Sequence, residues 1–385
     1  MEAIPQGDVL GQQTFPFVDR ASLEPGVKYD TVLARLNDMY KPFFVPVRAS
    51  NIGAYFSCPR RYLYRSRLKL FPTQTFISPA LETGTYFHRF MELPYREWVI
   101  VGQEYQKSVD NIVYQIEREG DLDGRLDKAL RDTSQAYEKA HVMAEIMNRK
   151  VSLPMGSRVI TVEQEVEAHI KLPIDPKHPE YVLVQGRIDR IEETKDGEFW
   201  IVDWKTTSFT PEAVVAGYAY SDACLLYRLL GARWLESQGL DPKKLTGFKL
   251  NVIAKPSIKF CPNGKDSNKD GLYESPWRAY IARCTEWYEE QEKKGKQVFT
   301  QYSIRWVNSS ILPDEFLYKL KRMAFLGSTR ETLTKEGLGL HYPRNHHSCA
   351  DSYGRTCPYL DLCTYNYALW PSLLAQRFTV RPEGK

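Results

Sequence analysis

Apolar and polar positions alternate most clearly in the middle of the chain. Residues 158–170 (RVITVEQEVEAHI), 181–192 (YVLVQGRIDRIE) and 198–207 (EFWIVDWKTT) carry the period of two that marks a half-buried strand. Lys195-Asp196-Gly197 separates the last two runs, and Asp-Gly between apolar stretches is a hairpin signal. Residues 247–254 and 298–307 predict two further strands, and 261–275 a polar loop. Among them the period changes to that of helices. Residues 211–231 and 313–335 read so, and 277–293 sets Trp277, Tyr280, Ile281, Cys284, Trp287 and Tyr288 on one stripe. Upstream of residue 150 the pattern is helical. A short helix is predicted near 28–39. Another, capped by Ser50 and Asn51, carries Ile52, Tyr55 and Phe56, and a third runs from Pro79 through His88, Met91 and Tyr95. Two more cover 105–118 and 123–149. The expected organisation is an arm (1–45), one domain (46–375) and a tail (376–385). Within the domain lie a helical part (46–150), a mixed-sheet α/β core (151–310) and a helix with a cysteine-rich clip (311–375).

Composition changes this picture little. Net charge is only +4 over 385 residues, so any nucleic-acid-binding face must come from local clustering. No apolar run approaches membrane-spanning length. The opening MEAIPQGDVLGQQ lacks the basic and apolar regions of a secretory signal. These readings predict a cytoplasmic protein without a membrane partner, whose seven cysteines are reduced, free or metal-bound.

One constellation stands apart from the packing pattern. Gly186-Arg187-Ile188-Asp189 lies on one strand of the predicted hairpin and Asp203-Trp204-Lys205-Thr206 on the other. Side chains alternate along a strand, so Asp203 and Lys205 share a face and Asp189 can meet them there. A lone D-x-K is more often a solvated cross-strand ion pair. Here Phe199, Ile201, Val202 and Trp204 make the strand apolar, and charges in such a strand are costly unless paired or bound to metal. Two carboxylates beside a lysine suit magnesium or manganese, hard cations that take oxygen ligands, activate water and polarise a phosphodiester. The lysine offers a point charge to the negative charge that develops during attack. Glu163 and Glu165 lie on the preceding strand, and alternation alone does not choose which faces the site.

G-R-I-D followed by I-V-D-W-K-T-T resembles the core motifs of the PD-(D/E)XK nucleases, in their RecB-like branch. Gly84-Thr85-Tyr86-Phe87-His88 resembles the G-T-x-x-H helix of the same branch, and the order along the chain agrees. The resemblance covers roughly residues 46–370 and implies a restriction-endonuclease-like fold. It implies catalytic roles for Asp189, Asp203 and Lys205. It implies a divalent metal on His88, Asp189, Asp203 and the carbonyl of Trp204. Glu92, one turn beyond His88, is a lesser candidate. Tyr227 matches the tyrosine of the branch's Q-x-x-x-Y helix and joins the candidate DNA contacts, whereas Ala223 stands where glutamine is expected.

Cys349, Cys357 and Cys363 fall within fifteen residues, and three thiolates need a fourth ligand to close a metal site. Zinc with His346 or His347 is one reading. Cys58, placed before Pro-Arg and upstream of the histidine helix, gives another. With the three C-terminal cysteines it resembles the iron–sulfur members of the branch, whose cluster clips the two ends of the domain together. That resemblance implies a [4Fe-4S] cluster on Cys58, Cys349, Cys357 and Cys363, although the C-x-x-C pair of the commonest version is missing. Cys224 and Cys284 lie on apolar stripes and read as core, and Cys261 carries no motif. Arg60, Arg61, Tyr62 and Tyr64 interleave cations with rings, a pattern suited to phosphate contact and base stacking. For any one of them a solvated helix face is the plainer reading. Lys249, Lys255 and Arg305 are further candidates to line a groove. The combined expectation is a metal-dependent deoxyribonuclease. It would act as a single-strand exonuclease at free DNA ends in recombination, repair or phage DNA processing. The alternatives are a non-catalytic DNA-binding or assembly subunit that keeps the fold, and a CRISPR-adaptation nuclease that trims DNA ends.

Overall fold

The structure is a computed structural model and describes residues 46–72, 79–92, 125–171, 181–218, 221–261, 275–306, 313–328, 340–349, 356–364 and 370–380. Helix α1 (Ala49–Ser57) and the short α2 (Pro59–Tyr62) lead through a π-helical turn (Leu63–Arg67) into β1 (Leu70–Pro72). Helices α3 (Pro79–Glu92) and α4 (Arg125–Lys150) precede β2 (Arg158–Lys171), β3 (Tyr181–Glu193) and β4 (Phe199–Thr207). Next come α5 (Pro211–Tyr218), α6 (Asp222–Ser237), β5 (Leu245–Ala254), α7 (Pro276–Lys293), β6 (Phe299–Arg305) and α8 (Asp314–Ser328). The described chain ends with α9 (Leu360–Thr364), α10 (Trp370–Arg377) and β7 (Phe378–Val380). Strands β2 to β6 form a five-stranded mixed sheet in sequence order, and β1 pairs antiparallel with β7. The described residues fall into two compact units, one within 1–76, 167–186 and 311–385 and the other within 77–166 and 187–310. No helix among them is long and apolar enough to cross a membrane.

The second unit holds the sheet positions with chemistry. Strands β3 and β4 form the hairpin that Asp-Gly signals. Thr194 N–H donates to Glu198 O at 2.8 Å, and Gly197 sits at φ +76°, where a side chain would be strained. Strand β4 then pairs parallel with β5, which pairs antiparallel with β6. Helices cover β4 on both faces of the sheet, and the first six residues of β4 are buried without a break. On one face α3, α4 and α7 enclose a core that includes Phe87, Met91, Met143, Val202, Trp204 and Ile253. Across the sheet, Tyr218 of α5 and Tyr227 of α6 stack on Phe248 of β5. A Cβ on Gly231 would come within 2.5 Å of Ile201 Cδ1, so glycine is what lets α6 lie against β4. The helix predicted over 211–231 is two helices. The Ser221 hydroxyl accepts from Cys224 N–H and caps α6, giving the chain a second helix start. The helices predicted near 28–39 and over 105–118, and most of the loop over 261–275, lie outside the described residues, as does 329–335 of the helix predicted over 313–335.

The first unit is tied by bonds between its early and late segments. Arg60 Nε donates to Tyr342 O at 2.8 Å and Tyr359 Oη to Leu70 O at 2.8 Å. Asn345 Nδ2 and Ser348 Oγ both donate to Ser57 O, at 2.7 and 2.9 Å. The carbonyl at the C-terminus of α1, which has no partner inside the helix, is satisfied in this way.

Candidate active site

The β3–β4 ladder runs only from Glu193 opposite Phe199 to Arg190 opposite Val202. Past that point β4 continues its pairing with β5, while the Trp204 N–H donates to Asp189 Oδ2 at 2.8 Å. The side chain of Asp189 thus takes up the backbone donor at the place where pairing with β3 stops. Asp203 and Lys205 share one face of β4, as alternation requires, with Nζ 2.6 Å from Asp203 Oδ2. Lys205 Nζ also approaches the carbonyl of Trp204, at 3.4 Å. Asp203 is 1% exposed, and neither of its oxygens accepts a well-aligned hydrogen bond.

Helix α3 supplies His88, whose Nδ1 lies 3.4 Å from Asp189 Oδ2 and 3.5 Å from Glu163 Oε1. That nitrogen is buried and makes no aligned hydrogen bond. Glu163 is the residue that alternation did not choose. Its φ of +45° interrupts the regular strand, and Val162 and Glu163 are buried in succession. Arg187 Nε stands 2.7 Å from Glu163 Oε2, while Glu165 is exposed. His88, Glu163 and Asp189 each present one ligand atom, and these atoms lie within 4.8 Å of one another.

Burial and charge set the protonation of this cluster. Burial, opposed by Lys205 and reinforced by Asp189, pushes the Asp203 carboxyl up to about 6. Burial pulls His88 down, but Asp189 and Glu163 outweigh it and the imidazole is raised. Burial likewise disfavours the Lys205 ammonium, and Asp203 and Asp189 more than restore it. For Glu163 burial acts upward, and His88 and Arg187 bring the carboxyl below its ordinary value. Oxygen donors with one imidazole suit manganese or magnesium, and His88 Nδ1 and the Asp203 oxygens meet charged neighbours without a well-aligned hydrogen bond. The residues therefore fit a divalent cation.

Other expected residues fall differently. Glu92 is buried and ion-paired to Arg89 at 2.9 Å. Tyr227 is half-buried, its phenol pushed well up by burial and by the Asp203 and Asp189 carboxylates. Tyr218, which no sequence motif singled out, places its ring 5.3 Å from Lys205 Nζ. Arg60, Tyr62 and Tyr64 are corrections: they are 4%, 1% and 0% exposed and cannot offer a surface to DNA. Arg60 and Tyr62 pack against Tyr342, and Tyr64 Oη donates to Leu362 O, so their pattern records packing within the first unit. Arg61 is half-buried and lines a cavity together with Cys58, Cys349, Cys357, Cys363, Arg344 and Tyr359. All four cysteines are free thiols, and no histidine among the described residues lines the cavity. His347 is exposed, and the side chain of His346 lies outside the described residues.

These features define a mixed α/β domain with a candidate divalent-metal site at the end of a strand ladder. A sequence model of the PD-(D/E)XK nuclease superfamily matches residues 47–364, and the chain belongs to that superfamily. Its architecture is consistent with a restriction-endonuclease-like fold. Membership implies a metal-dependent nuclease with DNA as substrate class. No curated protein matches the chain.

The pH dependence of stability follows from two groups. The folded-state pKa of Asp203 lies above the ordinary 3.8, so its contribution to folding is present below that pH and is lost by about pH 6. His88, raised above 6.5, also loses its contribution as pH rises through its folded value. Metal-free protein should therefore lose stability from this site as pH rises from about 4 to about 6 through Asp203 and again above 6.5 through His88, and Mn²⁺ should restore more at pH 7 than at pH 5. Denaturant midpoints in EDTA and in Mn²⁺ at the two pH values check this. An equal metal effect at both would contradict it.

Proposed function

We propose that the protein is a RecB-like deoxyribonuclease that hydrolyses phosphodiester bonds with Mg²⁺ or Mn²⁺, acting on single strands from free ends in recombination, repair or phage DNA processing. The observation that carries the nuclease reading is the convergence of His88, Glu163, Asp189 and Asp203 beside Lys205. His88, Glu163, Asp189 and Asp203 would hold the cation, which when bound supplies an activated water and a Lewis acid for the phosphate. Asp189 stays fixed through its bond from Trp204 N–H. Lys205, 31% exposed at its side chain, keeps its proton and presents an ammonium to the charge that builds on the phosphate oxygens. The Tyr218 ring lies within cation–π distance of that ammonium and steadies it. A non-catalytic subunit would have no use for this set of charges in an apolar strand.

The cysteine cavity supports a [4Fe-4S] cluster on Cys58, Cys349, Cys357 and Cys363. Four free thiols around one cavity complete a thiolate set, and Arg61 and Arg344 on its wall offset the negative charge of such a set. Burial raises the Cys357 and Cys363 thiols, the latter to about 11, as it would wherever a thiolate lacks its metal. Single-stranded and end-dependent action rests on the likeness to cluster-bearing members of the branch.

Lys205→Ala should lower Mn²⁺-dependent cleavage of end-labelled single-stranded DNA by about 10²–10³-fold, and Asp203→Ala should abolish it, with folding retained. Full activity of folded Asp203→Ala would sink the assignment, and equal cutting of closed circular duplex would contradict end dependence. Anaerobically purified protein should contain iron and inorganic sulfide, and each of the four cysteine-to-alanine changes should remove both, while Cys224→Ala keeps them. Stoichiometric zinc without iron would point to the zinc reading instead.

A further inference from the structure

Two arginines act on Glu163 from outside the set of candidate ligands, and they differ in what else engages them. Arg89, next to His88 on α3, is ion-paired to buried Glu92 at 2.9 Å, and its side chain is 21% exposed. Arg187, on β3, places Nε 2.7 Å from Glu163 Oε2, and its side chain is 48% exposed. No other ion pair or hydrogen bond engages the Arg187 side chain among the described residues. Glu163 thus meets different partners at its two oxygens: Oε1 lies 3.5 Å from His88 Nδ1, and Oε2 faces Arg187. One carboxylate separates the guanidinium from the ligand atoms that converge there. Arg187 also precedes Asp189 by two residues, so alternation sets both on one face of β3.

A guanidinium carries five donors in a planar fork. With Nε turned to Glu163, the edge formed by the two Nη groups carries no bond to the described residues. That edge matches two oxygens of a phosphate. The charges at the site call for such a group. Asp189, Asp203, Glu163 and a phosphodiester bring four negative charges together when a metal is bound. A divalent cation and the Lys205 ammonium supply three positive charges, and His88 as a ligand is neutral. Lys205 already meets Asp203 at 2.6 Å. Arg187 supplies the fourth positive charge, from a side chain exposed enough to meet a substrate.

We propose that Arg187 is a substrate contact: its two terminal nitrogens grip the oxygens of the phosphodiester that is cut, while its Nε stays with Glu163. This rests on the nuclease reading. It gives Arg187 a role distinct from the metal ligands and from Lys205, that of fixing one phosphate in place beside them. A lysine there would supply the charge without the fork.

The test uses the full chain in Ca²⁺ and a fluorescein-labelled single-stranded oligonucleotide, shown by gel to stay intact, with binding followed by anisotropy. Arg187→Gln should lower the slope of log Kd against log salt by about 0.7, and Arg187→Lys should keep it. A set of oligonucleotides, each with one linkage replaced by a neutral methylphosphonate, then locates the contact. In the wild type one linkage should stand out, its neutralisation weakening binding about tenfold. In Arg187→Gln the same neutralisation should cost less than about twofold. A group that acts only through Glu163 would leave the profile across linkages unchanged. An unchanged slope and profile in folded Arg187→Gln therefore overturn the contact, and so does a wild type that binds no strand. Cleavage by the wild type in Mn²⁺ is scored separately. Coupling between Arg187 and one linkage in a protein that cuts no nucleic acid would keep the contact and remove the nuclease reading.

Discussion

Like charges buried together constrain the whole second unit. Asp189 and Glu163, each 7% exposed, meet one imidazole, and Asp203, 1% exposed, is near enough to interact electrostatically with both Asp189 and His88. Two unit charges at about 4 Å interact by about 4 kcal/mol at an effective dielectric near 20, and an entire domain is stable by only about 5–15 kcal/mol. Lys205, Arg187 and the raised His88 offset part of the repulsion. A divalent cation bound there would offset the rest. The site therefore has to be held open by the scaffold, because left to itself it would disperse its charges into water.

The scaffold does so with apolar packing on both faces of β4. Strand β4 is fixed by parallel pairing to β5 and by helices on either side, so Asp203 and Lys205 have little freedom to move apart. Helix α3 carries His88 and is itself anchored to α4, where buried Glu82 accepts from Thr133 and Tyr86. Glu163 reaches the site through a left-handed φ that costs of order 1–3 kcal/mol and persists because its surroundings over-determine it. Strain and buried charge thus coincide at one point of a well-packed unit, a combination expected where chemistry is done.

Much of this was legible in the sequence, for physical reasons. A period of two located β2 to β4, the Asp-Gly turn fixed the hairpin, and together they put Asp203 and Lys205 on one face. Four cysteines scattered over the chain do share one cavity. Glu163 was not legible, since its choice over Glu165 depends on a single backbone angle that no side-chain pattern records. The Arg60, Tyr62 and Tyr64 segment was misread because interleaved cations and rings look alike whether they face water or a partner segment. Here the partner is Tyr342, 282 residues from Arg60. Tyr218 carried no signal, because its contact with Lys205 arises from how α5 packs on the sheet.

The central claim is that His88, Glu163 and Asp189 bind a divalent cation together with Asp203. Calorimetric titration of Mn²⁺ into metal-free protein at pH 7 tests it without reference to any substrate. The account predicts saturable binding that weakens at least about tenfold in Glu163→Gln, in His88→Ala and in Asp189→Asn, and that is unaffected by Glu165→Gln. Wild-type affinity in a folded Glu163→Gln variant, or equal losses from Glu163→Gln and Glu165→Gln, would contradict it.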